Sequence, residues 1–253
     1  MKVQLFNQKA GAGRNLELPQ EISGFAGGFF LDIFTGSILC TSHSKKQNMK
    51  TLLLLTASIC FMTFAAFRPL TEISSLEIGK PIPKTDLRLQ AVDGKTITLA
   101  RAKGRNGLLV IFSCNTCPFV VKNESRIKDI SAYATKADLG VVIVNSNEGQ
   151  RDAEDSFDAM KQYMSEKQFS GSYVLDKNAE LADAFGATHT PETYLFGKAG
   201  TLLYKGAIDD SPRDEASVKH HFLKDAIEAS VHGEVVKTNS TKSIGCSIKR
   251  KDS

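Results

Sequence analysis

Charge of one sign is in short supply in this 253-residue sequence: 32 basic residues stand against 28 acidic ones, a formal net charge of +4, with no long basic stripe. Nucleic acid and an anionic membrane surface are therefore not expected as partners. Long apolar runs are lacking too. The longest, Leu52 to Phe67, has 16 residues, short of the roughly 18 that a membrane-spanning helix needs. Cysteine is scarce, with five copies at positions 40, 60, 114, 117 and 246. A disulfide-stapled fold shows an even, dispersed set, and a structural zinc site needs about four ligands, usually two close pairs or one pair with suitably spaced histidines. One Cys-x-x-Cys pair is present, and the histidines at 189, 220, 221 and 232 lack that spacing, so no metal and no cofactor is expected. There is no internal repeat. The composition, 42% hydrophobic and 24% charged, is that of an ordinary globular protein with enough apolar material for a core.

The segment "MKTLLLLTASICFMTFAAF", Met49 to Phe67, has a basic start, an apolar centre and small residues near its end, the grammar of a secretory signal peptide. Thr63 and Ala65 are small enough to flank a cut after Ala65; an uncleaved membrane anchor is the alternative. A signal sequence normally opens a protein, so residues 1–48, with Gly clusters and no sustained periodicity, are expected to be a non-native or disordered extension. The expected organisation is that extension, a signal peptide at 49–65, a linker at 66–75, one domain at 76–233 and a polar tail at 234–253. Past residue 65 the body is nearly neutral, 26 basic against 25 acidic residues, and keeps Cys114, Cys117 and Cys246. Its expected place is outside the cytosol, in a periplasm, with no membrane span once the signal is cut.

Along the body, "DLRLQAVDGKTITL" alternates around Asp93-Gly94, a hairpin signal. "GLLVIFS", 107 to 113, and "GVVIVNSN", 140 to 147, read as strands buried on both faces. Val120, Ile127, Ile130 and Ala134 fall at near-helical spacing, predicting one helix from Cys117 onward. Phe157, Met160 and Met164 mark a second helix, "YVLD" a short strand, and "KNAELADAFG" a helix closed by Gly186. "ETYLFGKAGTLLYKGAI" predicts two strands around Lys198-Ala199-Gly200, and Val218, Phe222, Ala226 and Ile227 an amphipathic helix ending at Gly233. The expected fold class is α/β, a single mixed β-sheet flanked by helices. The charged loop 147–156 reads as a solvated connection or a helix cap, the Asp209-Asp210 pair as solvated surface, and Asp176 as a helix cap in preference to a proton carrier.

The cysteine pair sits where a buried strand gives way to that helix. A staple across two residues would stabilise little, because the effect grows with loop length. Redox chemistry explains the position better, since residues three apart on a first helical turn are neighbours and can close a disulfide with little backbone motion. Unpaired N–H groups and the positive end of the dipole favour a thiolate there. Cys114 is the expected attacking thiol, with its pKa lowered from about 8.5 towards about 7, and Cys117 the more covered resolving thiol.

These residues carry a resemblance. "CNTCP" after a buried strand, "THTPETYLF" downstream and "GKPIP" upstream are similar to the thioredoxin superfamily over about residues 76–251. More narrowly, "FSCNTCPFV", "TPETYLFGKAGTLLYKGAIDDS" and the terminal "SIGCSIKRK" resemble the peroxiredoxin-like redoxins of the alkyl hydroperoxide reductase/thiol-specific antioxidant grouping. The resemblance implies a thioredoxin-like fold and a cis peptide at Thr190-Pro191 facing the cysteines, whose unpaired backbone edge would receive a substrate strand. His189 and Cys246 become possible accessory residues. His189 could tune the thiols or be a plain loop residue; Cys246 could be an extra resolving or shuttle thiol that reaches the site, or a packed tail residue. The implied partners are protein or small-molecule thiols and disulfides, hydroperoxides as a further possibility, and an upstream thiol reductant.

Two activities follow from the resemblance. The first is thiol–disulfide exchange through Cys114 and Cys117; the alternative is a thiol peroxidase using Cys117, with Cys114 resolving. The peroxiredoxin motif keeps a proline and a threonine ahead of its reactive cysteine, and aligning that cysteine with Cys117 puts Val110 and Cys114 there instead. No arginine stands near Pro191, where the family's activating one belongs. Leu108 stands six residues before Cys114, where thioredoxin keeps a buried acid. A third possibility is a non-catalytic member that binds partners beside the cis-proline.

Overall fold

A computed structural model of the chain describes residues 74–251. The signal peptide expected at 49–65, the extension 1–48 with Cys40, Cys60 within the signal, and most of the linker lie outside the described residues. Leu89–Ala91 (β1) and Thr96–Ile97 (β2) form an antiparallel hairpin around Asp93-Gly94. Leu99–Ala102 (α1) leads into Gly107–Ser113 (β3), buried throughout. Pro118–Val121 (α2), Glu124–Lys136 (α3), Leu139–Asn145 (β4), Phe157–Lys167 (α4) and Ser172–Leu175 (β5) follow. The chain continues through Glu180–Phe185 (α5), His189–Thr190 (β6), Glu192–Phe196 (β7), Leu202–Gly206 (β8), Phe222–His232 (α6) and Cys246–Ser247 (β9).

Seven strands make one mixed sheet in the order β2-β1-β5-β4-β3-β7-β8, while β6 and β9 pair separately. The parallel strands β3, β4 and β5 lie inside it. Their continuous apolar sequences suit that place, because successive side chains point to opposite faces and both faces are covered. Leu109 and Ile111 of β3 join a core with Ile127, Met160, Leu223 and Ile227 from α3, α4 and α6. Leu108, Val110 and Phe112 join the opposite core with Leu99, Leu181 and Phe185 from α1 and α5. Both faces are therefore dry, and the C-terminal end of β3 opens onto the first of them.

Four expectations need correction. The helix predicted from Cys117 is broken: α2 ends at Val121 and α3 starts at Glu124. The cause is Asn123, 2% exposed, whose Nδ2 donates to the Phe119 carbonyl at 2.7 Å and to the Pro212 carbonyl at 2.9 Å. The side chain takes the acceptor that its own backbone N–H would use in a continuous helix. The loop 147–156 is not simply solvated surface, since Asn147 and Asp155 are buried. Asp209 is buried as well, 3% exposed, and its carboxylate accepts from Arg126 Nη1 at 2.7 and 2.8 Å.

The polar stretch after Glu234, finally, lies against the domain. Lys205 N donates to the Asn239 carbonyl at 3.1 Å and Thr241 N to the Lys205 carbonyl at 3.0 Å. Farther on β9 pairs with β6, and Ile248 is 3% exposed within the second core. Backbone pairing needs no apolar periodicity, so the pattern of this segment did not announce it. Asp176 does cap a helix: its carboxylate accepts from Leu181 N and Ala182 N, each at 2.9 Å. Among the described residues no helix is long and apolar enough to cross a membrane.

Candidate active site

Three cysteines meet around Thr190. Beyond β3 the chain turns through Cys114, Asn115 and Thr116 to Cys117, which caps α2 at its N-terminus with Pro118 in the first turn. Proline suits that place because its missing N–H would be unpaired there anyway. Cys117 and not Cys114 therefore stands at the mouth of the helix, correcting the sequence expectation. The Thr190-Pro191 bond is cis. Cys114 Sγ lies 3.4 Å from Thr190 Oγ1, and Cys117 Sγ lies 3.4 Å from the Thr190 carbonyl oxygen. Cys246 is the register partner of Thr190 in the β6–β9 ladder.

Cys117 is bonded to Cys246, with Cα atoms 6.2 Å apart, inside the range that disulfides adopt. Among the described residues Cys114 is the free thiol. Burial ranks Cys114 and Cys117 in the reverse of the expected order. Cys114 is 1% exposed and Cys117 7%, while Cys246 is half-buried. Burial pushes the Cys114 thiol up to about 11, and the charge of Asp155 adds to the rise; the Thr190 hydroxyl and the backbone N–H groups of Cys117 and Thr116 pull the other way. Desolvation thus outweighs the local donors, and Cys114 does not have the lowered pKa that the sequence suggested.

The turn between the cysteines is held by groups that pattern reading missed. Asp155 Oδ1 accepts from Asn115 N at 2.9 Å and Asn145 Nδ2 at 2.7 Å, and Asp155 Oδ2 accepts from Asn147 Nδ2 at 2.8 Å. Asn115 Nδ2 donates to the Glu154 carbonyl at 2.7 Å, and Tyr173 OH donates to Asn115 Oδ1 at 2.8 Å. Asn115 is consequently a buried anchor while Thr116 is exposed. Asp155 sits 38 positions beyond Cys117 in a loop that reads as charged surface; the one signal for it was an acid close to the strand-end pair Asn145 and Asn147.

His189 is half-buried, and its Nδ1 bonds the Thr188 hydroxyl at 2.8 Å. Strand alternation turns its side chain away from the face on which Thr190 meets Cys114. The backbone edge beside the cis-proline, expected to be open to a substrate, is taken by the chain itself: His189 pairs with Ser247 and Thr190 with Cys246. Glu192 Oε2 fixes the same loop from behind by accepting from Thr188 N at 2.9 Å and His189 N at 3.0 Å.

A three-stranded parallel core widened by antiparallel strands, with a cysteine at a helix mouth facing a cis-proline, defines a thioredoxin-like redox fold. The redoxin family model matches residues 77–221, and the chain belongs to the redoxin family, a group of redox proteins. It is similar to a hypothetical protein from Sinorhizobium meliloti 1021, with 30% identity and a TM-score of 0.64 over 70% of this chain and 96% of that one. An uncharacterized conserved protein from Geobacillus kaustophilus is similar at 31% identity and a TM-score of 0.65, over 70% and 94% of the two chains. A thioredoxin-like protein solved in its oxidized form shares the fold at 19% identity, with a TM-score of 0.50 over 63% of this chain and 99% of that one. No curated protein matches the chain.

Proposed function

We propose that this redoxin is a thiol–disulfide oxidoreductase that works through Cys114, Cys117 and Cys246, with Cys117 common to both internal disulfides, and that it acts in an exported, periplasmic compartment. The observation that carries the reading is the placement of Cys117: bonded to Cys246 and held against the same threonine that contacts the Cys114 sulfur. In the exchange step the Cys114 thiolate attacks Cys117 Sγ. The Cys117–Cys246 bond breaks, a Cys114–Cys117 bond forms, and the proton lost by Cys114 ends on Cys246. No electrons leave the protein. In the net step, two reduced cysteines give two electrons to an external disulfide, which departs as two thiols, and a thiol reductant restores the pair.

The peroxidase alternative has less support. Peroxide cleavage needs donors aimed at the developing oxygen charge. Val110 is packed in the opposite core. Among the described residues the two most buried arginines bind other groups, Arg126 with Asp209, Ser211 and Lys122, and Arg151 with the Asp155 and Asn145 carbonyls.

Disulfide mapping with turnover tests the reading. With dithiothreitol as reductant, the protein should accelerate reduction of bis(2-hydroxyethyl) disulfide, and Cys117→Ser should abolish the acceleration. Cys246→Ser should accumulate the Cys114–Cys117 bond and Cys114→Ser the Cys117–Cys246 bond. Full turnover in Cys117→Ser would sink the proposal. The export part is checked by N-terminal sequencing of the native protein, which should begin just after Ala65; peptides from 1–48 would contradict it.

A further inference from the structure

The segment that carries Cys246 occupies the place where a thioredoxin-like site would pair with an extended substrate. Its register is antiparallel, Thr190 opposite Cys246 and His189 opposite Ser247, and Ile248 N donates to the Thr188 carbonyl at 2.9 Å. That is the backbone pairing an incoming peptide strand would need, already satisfied from within the chain.

The contact is keyed by a glycine. A Cβ on Gly245 would lie 2.2 Å from the Thr190 carbonyl oxygen and 2.7 Å from its carbon. Only a residue without a side chain lets the segment lie this close to the cis-proline loop. Both flanks are tied down. Upstream, Thr241 Oγ1 bonds Tyr204 OH at 2.7 Å and accepts from Ala207 N at 3.0 Å. Downstream, Ile248 is buried in the core, Lys249 N donates to Asn147 Oδ1 at 2.9 Å, and Gly149 N donates to the Lys249 carbonyl at 2.7 Å. Arg250 pairs with Asp183 at 2.8 Å.

We propose that residues 240–250 are a fixed strap that fills the peptide-pairing edge, so that the site exchanges electrons with small, low-molecular-weight disulfides and thiols and excludes extended polypeptides. The proposal rests on the exchange activity argued above and adds the substrate class. Cys246, the least buried of the three cysteines, is the point of contact. Its thiolate attacks one sulfur of a small disulfide; that bond breaks and one small thiolate leaves, protonated by solvent. The Cys117 thiolate then attacks Cys246 Sγ, the second small thiolate leaves, and the Cys117–Cys246 bond closes. Two electrons pass from the protein to the small disulfide, and no strand has to enter.

The test compares two disulfides, bis(2-hydroxyethyl) disulfide and insulin, each with dithiothreitol and each corrected for uncatalysed exchange. The native protein should accelerate reduction of the small one roughly tenfold or more over insulin, a discrimination of the size that a steric barrier supplies. Gly245→Ala, which forces the strap off Thr190, should raise the insulin-to-small-disulfide ratio by a similar factor. Equal acceleration of both substrates by the native protein, lost in Cys117→Ser, would overturn the strap and leave the exchange activity standing. Turnover that survives Cys117→Ser, or none at all, would remove both. Hydrogen exchange of the reduced native protein is the second measurement, independent of whether Gly245→Ala folds. The Ile248 and Gly149 amides should stay protected after reduction, and their deprotection would show that the strap leaves the edge and overturn the proposal.

Discussion

Alkylation of Cys114 as a function of pH is the most direct probe of how burial governs this site. In the form with Cys117 bonded to Cys246, burial pushes the Cys114 thiol from 9.0 to about 11. At pH 7 the thiolate is then about one part in 10⁴, against about 1% for a thiol at the unshifted 9.0. The reactive form is scarcer by a factor of roughly 100. Iodoacetamide labelling, followed by mass mapping in the intact oxidised protein, should be slow at pH 7 and rise about tenfold for each pH unit up to about 10. The same shift acts on stability. Below 9 both folded and unfolded chains keep this proton; between about 9 and 11 the unfolded chain loses it first, so stability falls as pH rises. The loss approaches about 3 kcal/mol above 11, and Cys114→Ala should remove that slope. A labelling rate that levels off near pH 8 would refute the reasoning, because it would mean that the helix mouth and local N–H groups outweigh desolvation.

Other perturbations have equally definite outcomes. Arg126→Ala leaves the Asp209 carboxylate buried without its partner and should cost about 3–5 kcal/mol in chemical denaturation; Arg126→Met with Asp209→Leu should recover most of the loss. Asp155→Ala strips the acceptor from Asn115 N, Asn145 and Asn147 and should cost about 3 kcal/mol or more. Asp155→Asn should move the Cys114 labelling profile to lower pH by removing a charge that raises it. Cys246→Ser opens a cross-link between residues 129 apart and should lower stability by about 2–5 kcal/mol relative to the oxidised protein.

The elements of the fold were legible wherever one face or both had to be apolar. "GLLVIFS" reads as β3 with its observed bounds, and Gly186 and Gly233 end α5 and α6 as their sequence predicts. What escaped was polar and specific. Asn123 breaks a helix through its side-chain amide, yet the apolar spacing on either side of it is continuous. Asp209 reads as half of an exposed acidic pair until Arg126, 83 residues away, is folded against it. The close pair was legible from position alone, whereas Cys246 entered only through the resemblance of the tail, as either an extra thiol at the site or a packing residue; its bond to Cys117 decides for the first. Two residues separate Cys114 from Cys117, whereas Cys246 reaches the site by backbone pairing, which leaves no trace in hydrophobic periodicity. The direction of the Cys114 shift was lost for a related reason. A helix start is visible in sequence, but the cover above a sulfur depends on distant elements.

The passage of Asn239–Thr241 along β8 has a bearing beyond the redox centre. A sheet border offers free N–H and C=O groups to any neighbouring molecule. Here the outer strand on one side has Lys205 engaged on both backbone groups by Asn239 and Thr241, and the border strand on the other side, β2, is two residues long. Each border is thus blunted against recruitment by a second molecule. In the reduced protein, where no Cys117–Cys246 bond holds the segment in place, a chain clipped before Asn239 should lose that guard and self-associate through β8, as sedimentation would show.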